Sequence, residues 1–367
     1  MTVPVAAIIA DDLTGALDSA VAFAGRGWKT VAVTTVAGVT EALRSGAEVI
    51  ALSLDSREIP GAEAATRMRQ AARALSGFPI LLKKVDSRLK GNTAAELAAL
   101  VDVRRPSRVV VCPAIPELGR RVRQGCVEGM GIAEPIPVAP RFSPVAGVEM
   151  DFADAVNDED LAELVARAPA GAIFVGARGM ATALAAHLAN GQPQIKPAFG
   201  WTGLVAIVVG SRDPITLEQV ARLRAANPLD WIAAPDGVVP EHASQGSVIV
   251  QATEGGGPAM DGMAVSLRLA QGFVRHFPGP PRNLVLTGGE TAAAVLSEMG
   301  VTALEVLGEV QPGLPVCRAL HRSGGSLIIT KSGGFGTADC LLRLVSPAQR
   351  PEASPIHHTA EAPERGH

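Results

Sequence analysis

Tyrosine is missing from this 367-residue chain, and aromatic residues together make up 3% of it. No platform is therefore available on which the bases of a single-stranded nucleic acid could stack. Charge of one sign is also lacking, since 33 Lys and Arg stand against 36 Asp and Glu for a net charge of −3. Such a chain exerts no long-range pull on nucleic acid or an anionic membrane surface, so any anion site must be built locally. Cysteine is scarce: the four residues at 112, 126, 317 and 340 show no C-x-x-C spacing and read as reduced thiols of a cytoplasmic protein. No uninterrupted apolar run reaches the ~18 residues of a membrane span, and no basic segment before a long apolar run marks a signal peptide. The histidines at 187, 242, 276 and 321 lack metal-ligand spacing. Two nucleotide motifs are absent as well. Thr330, not glycine, precedes Lys331, which rules out a P-loop, and Asp11 and Asp12 stand where a dinucleotide fold would carry its glycines.

What is present is alternation. Apolar runs at 5–9, 30–34, 49–54, 80–85, 108–112 and 172–175 read as strands, with helical patterns at 16–24, 62–75, 94–100, 158–166 and 180–188. After 191–200, a stretch with two prolines and two glycines that reads as a linker, the alternation restarts. Strands are expected at 204–209, 247–251, 284–287 and 327–330, and helices at 216–226, 258–277, 292–299 and 338–344. The pattern predicts an α/β protein of two domains, 1–200 and 201–346, each a mainly parallel sheet flanked by helices. Residues 347–367 read as a disordered tail.

Two turns concentrate reactive side chains. Ala10-Asp11-Asp12-Leu13-Thr14-Gly15 follows the first strand, and Lys83-Lys84-Val85-Asp86-Ser87-Arg88-Leu89-Lys90-Gly91 ends the fourth. Ligands of open α/β sheets bind at the carboxyl ends of strands. Carboxylates, ammonium groups and hydroxyls in that place suit a small polyhydroxy acid. Asp12 also reads as a helix N-cap and Asp86 as a turn former. Of Lys83 and Lys84, one is expected solvated and the other partnered, and Thr93 and Glu96 have capping-box spacing. The second half carries three glycine turns: Gly210-Ser211-Arg212-Asp213-Pro214, Gly288-Gly289-Glu290-Thr291 and Lys331-Ser332-Gly333-Gly334-Phe335-Gly336. Glycine lets backbone N–H groups close on a phosphate, and a helix N-terminus adds a favourable dipole. Lys331 is expected to add a point charge there.

These segments, with Asp18, Asn92, Pro113-Ala114-Ile115-Pro116, Gly119-Arg120 and Gly125, resemble the four-carbon acid sugar kinases from about residue 5 to about residue 345. Members of that family phosphorylate D-threonate, D-erythronate or 3-oxo-tetronates with ATP. The resemblance implies an N-terminal domain for the acid, a C-terminal domain for ATP, and an active site in the cleft between them. By matching position, Asp11, Asp12, Lys84, Asp86, Ser87 and Arg120 fall to the acid. Ser211, Gly288, Gly289, Glu290, Thr291, Gly333 and Gly334 fall to ATP, with Mg²⁺ bridging its phosphates. Asp12 or Asp86 would orient or deprotonate the attacking hydroxyl, and the sequence leaves that choice open. Arg88 replaces a small hydroxyl residue of the family pattern, Lys90 an arginine and Asp213 a hydroxyl, while residues 127–151 match poorly. The partners implied are a sugar acid and ATP, without nucleic acid or membrane, and a homo-oligomer stays open. The rival reading is an inactive regulator that binds ATP and the acid on the same fold.

Overall fold

The computed structural model describes residues 2–195, 203–226, 229–241, 246–258, 260–277, 283–320 and 327–345. The expected tail and the later part of the expected linker, 196–200, lie outside them. In the first half the strands are β1 (Ala6–Ala10), β2 (Thr30–Val33), β3 (Val49–Ser53), β4 (Ile80–Lys84), β5 (Arg108–Cys112), β6 (Arg120–Arg123), β7 (Cys126–Gly129), β8 (Ile136–Pro137), β9 (Glu149–Phe152) and β10 (Ile173–Gly176). Its helices are α1 (Leu13–Ala24), α2 (Val36–Arg44), α3 (Gly61–Ala74), α4 (Thr93–Arg104), α5 (Asp158–Arg167) and α6 (Arg178–Ala189). The second half adds β11 (Val205–Val209), α7 (Pro214–Ala226), β12 (Asp230–Pro235), β13 (Val248–Thr253), α8 (Gly262–His276), β14 (Asn283–Thr287), α9 (Gly289–Glu298), β15 (Ala303–Glu309), β16 (Pro315–Ala319), β17 (Leu327–Lys331) and α10 (Cys340–Val345).

The parallel strands are short, continuous apolar runs because helices cover both of their faces. All five residues of β1, and all five of β11, are buried. Alternate residues of the second-half strands feed opposite faces. Val205, Ile207, Val209, Val285 and Ile329 pack one way with Leu223 and Leu341. Ala206, Val208, Leu284, Leu286 and Ile328 join the core that runs through the first half.

Two separate sheets were expected, but the strands form one mixed sheet of fourteen in the order β12-β13-β11-β14-β17-β16-β15-β2-β3-β1-β4-β10-β5-β9. The β15–β16 hairpin makes the joint. β15 runs antiparallel to β2, pairing Ala303 with Val33 and Val306 with Thr30, and β16 runs antiparallel to β17. The antiparallel joint reverses the second-half strands. Six inter-strand steps separate β1 from β14, and at about 20–25° each the twist accumulates to roughly 120–150°. That rotation swings the carboxyl ends of β11, β14 and β17 round toward those of β1, β3 and β4. A small antiparallel sheet, β6-β7-β8, stands apart from the large one.

Candidate active site in the interdomain cleft

Ala10 at the end of β1 pairs in register with Ser53 of β3 and Lys84 of β4, so the chain leaves three adjacent strands at one level. Asp12 caps α1: its Oδ1 accepts from the Gly15 N–H at 2.8 Å and its Oδ2 from the Thr14 hydroxyl at 2.7 Å. The N-cap role and a place in the cleft wall therefore coincide. Asp86 holds its own turn, with Oδ1 accepting from the Arg88 N–H at 2.8 Å.

The group that ties these carboxylates together is Arg57, which follows β3. Its Nε lies 2.8 Å from Asp11 Oδ2, Nη1 3.1 Å from Asp12 Oδ2 and Nη2 3.9 Å from Asp86 Oδ2. Burial works against the charge on Arg57, but the three aspartates outweigh it and raise its pKa. Burial likewise opposes ionisation of Asp11, while Lys83, Arg57 and Lys84 together hold its carboxyl below the ordinary range. Sequence reasoning passed over Arg57. The available signal was positional, because Asp55-Ser56-Arg57-Glu58 is a polar turn at the carboxyl end of a third expected strand.

Neither lysine of the pair is solvated. Lys83 is fully buried and forms an ion pair with Glu96 at 2.7 Å, and Glu96 also accepts from Ser56. The expected capping box is thereby broken up: Asn92 takes the N-cap position, and the Thr93 hydroxyl donates to the Arg141 carbonyl. Lys84, 6% exposed, donates to the Val85 carbonyl and approaches Gly15. Asp12, Asp86 and Lys90 line the cleft, whereas Asp11 and Lys84 are buried behind it. Ser87 and Arg120 bond to each other at 2.5 Å, to one side of the residues lining the cleft.

On the far wall β11, β14 and β17 are neighbours, so the three glycine turns sit side by side. Any Cβ on Gly210 would collide with Thr291 Oγ1, so glycine is obligatory where these two turns meet. Gly288 has φ +94°, its N–H donates to the Lys331 carbonyl, and it precedes α9 with no side chain capping that helix. The first-turn N–H groups of α9 are thus left for a ligand. Ser211, Gly288, Gly289, Glu290, Thr291, Ser332 and Gly333 line the cleft, while Gly334 is exposed beside Asp213 and does not line it. Burial pushes the Glu290 carboxyl above its ordinary range, with Asp261, Glu58 and Asp55 adding to the effect.

Lys331 departs from expectation. It is 1% exposed, and its Nζ donates to Thr216 Oγ1 and to the Ser332 and Gly333 carbonyls, bracing the loop from inside. Desolvation lowers its pKa to about 8.

The two walls enclose a cleft of about 550 Å³. A Cβ on Gly289 would stand 3.3 Å from Thr14 Cγ2 and 3.8 Å from Asp12 Oδ2, so the start of α9 faces the start of α1 across it. The halves are also pinned behind the cleft, where Arg178, 8% exposed, pairs with Asp18 of α1 and Glu309 of β15, both at 2.6 Å. Asp18 is therefore a structural partner in this chain. Among the described residues no group of three or more His, Cys, Asp and Glu is placed to hold a metal ion, and no helix is long and apolar enough to cross a membrane.

An α/β chain whose two halves present an acid-rich and a glycine-rich wall to one cleft has the build of a two-substrate enzyme. In comparison with known proteins, residues 6–135 match the sugar-binding N-terminal domain model and residues 242–341 the nucleotide-binding C-terminal domain model. A D-threonate kinase of Cupriavidus necator is 33% identical, with 91% of this chain and 95% of that protein aligned. A 3-oxo-tetronate kinase of Methylobacterium radiotolerans is 30% identical over 90% and 96%. The chain belongs to the four-carbon acid sugar kinase family. Its fold is shared with crystal structures of a Salmonella typhimurium protein (TM-score 0.74, 21% identity, 93% and 98% covered) and a Haemophilus influenzae protein (0.67, 23%, 91% and 97%).

Proposed function

We propose that the protein transfers the γ-phosphoryl group of ATP to a hydroxyl of a four-carbon sugar acid such as threonate, erythronate or a 3-oxo-tetronate. The observation that carries this reading is the approach of Gly289 to Asp12 and Thr14, which sets a phosphate-binding helix start against a carboxylate. Phosphoryl transfer passes through a loose transition state, so positioning and charge neutralisation dominate over covalent chemistry. The N–H groups at the start of α9 and the turns at Ser211 and Gly333 hold the phosphates.

Asp12 takes the role of orienting the acceptor hydroxyl and accepting its proton, being the carboxylate that faces α9. Asp86 binds a second hydroxyl, and Arg57 keeps both carboxylates in place. Asp11 and Lys84, buried behind the cleft, and Ser87 and Arg120, bonded to each other outside its lining, support this wall rather than touching the acid. Mg²⁺ suits a site where most ligands come from phosphate and water. Glu290, in the first turn of α9, is the residue that would hold it from the protein side, and the ion would neutralise phosphate charge.

ADP release measured against three- to six-carbon sugar acids and their 3-oxo forms tests this. Turnover is expected with at least one four-carbon acid. Retained ATP affinity without turnover on any acid would overturn the reading in favour of a nucleotide-dependent sensor.

A further inference from the structure

The turn from Gly210 to Pro214 carries two opposite charges and sends them apart. Asp213 serves α7, its Oδ1 accepting from the Ile215 N–H at 2.9 Å, and it does not line the cleft. Arg212 lines the cleft with Ser211, Gly288 and Gly289. It is exposed and has no ion pair or side-chain hydrogen bond among the described residues. The base of the turn is tightly packed. A Cβ on Gly288 would stand 3.3 Å from the Ser211 nitrogen, and one on Gly333 2.6 Å from Ser211 Oγ. Arg212 therefore leaves the chain where the three glycine turns meet, beside the uncapped start of α9.

The charges around it leave Arg212 one use. Among the described residues lining the cleft, Asp12, Asp55, Glu58, Asp86 and Glu290 are acidic, and Arg57, Lys90 and Arg212 are basic. Arg57 is committed to Asp11, Asp12 and Asp86. Lys90 belongs to the opposite wall, and Lys331 is turned into its own loop. Arg212 is thus the cation with which the glycine-rich wall meets the cleft. A polyphosphate entering among so many carboxylates is repelled, and the roughly half unit charge at a helix start does not offset that. A guanidinium supplies a full charge and a fork that fits phosphate oxygens two at a time.

We propose that Arg212 grips the terminal phosphates of ATP and neutralises the charge that builds on them during transfer. The proposal rests on the nucleotide half of the reading above, and Arg212 is not among the residues that the family pattern assigns to ATP. As the acceptor oxygen bonds to the γ-phosphorus, the bond from that phosphorus to the bridging oxygen breaks. The electron pair stays on the β-phosphate of ADP, where Arg212 meets it, and the acceptor proton passes to Asp12.

Calorimetric titration of ATP and of AMP, each with Mg²⁺, into wild type, Arg212→Ala and Arg212→Lys tests this without requiring turnover. Because the side chain is exposed, the variants should fold as wild type does. Arg212→Ala is expected to weaken ATP about tenfold or more and to leave AMP within about twofold, with Arg212→Lys keeping part of the ATP affinity. With the best four-carbon acid, Arg212→Ala should also lower kcat/KM for ATP about 10²-fold while the KM of the acid stays within about twofold. ATP affinity changed less than about threefold, or an equal loss for ATP and AMP, overturns the role of Arg212 and leaves the kinase reading standing. The expected loss of ATP affinity in a protein whose wild type turns over no acid upholds Arg212 and removes the kinase assignment. A wild type that binds no ATP removes both.

Discussion

The two walls of the cleft are built from different parts of the chain. On the first, side chains do the work: Asp11, Asp12 and Asp86 converge on Arg57, and each contact depends on residue type. On the second, Gly210, Gly288, Gly289 and Gly333 bring backbone together, and the contribution of sequence is mainly the absence of Cβ atoms. A wall made of side chains can be retuned one residue at a time, so acceptor choice can vary among relatives. A wall made of backbone tolerates little change.

The largest effect should come from breaking what holds the walls in register. Arg178→Met strands Asp18 and Glu309 without their partner, and removing one member of a buried charge cluster costs about 3 kcal/mol or more. Urea unfolding should show that loss; a variant within about 0.5 kcal/mol of wild type would mean that the β2–β15 pairing alone fixes the halves. Next comes the nucleotide wall. Gly288→Ala forces a side chain onto φ +94°, and is expected to raise the KM for ATP about tenfold while sparing acid affinity. Equal damage to both would show that the walls are not separable.

The smallest effect is one of pH on the acid wall. Asp11 has a depressed folded-state pKa, so its ionised form contributes stability above the ordinary carboxylate value of 3.8 that is lost as pH falls through the folded value. Arg57→Gln removes one of the cations responsible. The variant should melt below wild type at pH 7, with the gap narrowing below about pH 4 as Asp11 protonates in the wild type. A gap independent of pH would detach Arg57 from that charge.

The same contrast governs what could be read from the sequence. Asp12, Asp86 and the glycine turns stood out because strand ends followed by polar or glycine-rich turns are a local signal. Arg57 did not, since its turn contains no glycine and its partners are distant in sequence, at 11, 12 and 86. Lys331 was visible as a charge, yet its direction is decided by the carbonyls of its own loop and by Thr216. The single sheet is hidden in the sequence for a similar reason. Residues 303–309 carry short-range alternation with a glycine at the bulge, and only the long-range pairing with β2 makes them the joint.

Steady-state kinetics of Asp12→Asn separate a direct action of Asp12 on the acceptor from a purely capping role. Asparagine is as good an N-cap as aspartate, so α1 should be preserved, and only the ion pair to Arg57 is weakened. If Asp12 acts on the acceptor, kcat falls about 10²-fold or more with the KM for ATP little changed. A kcat within about threefold of wild type in a folded, ATP-binding variant would contradict it.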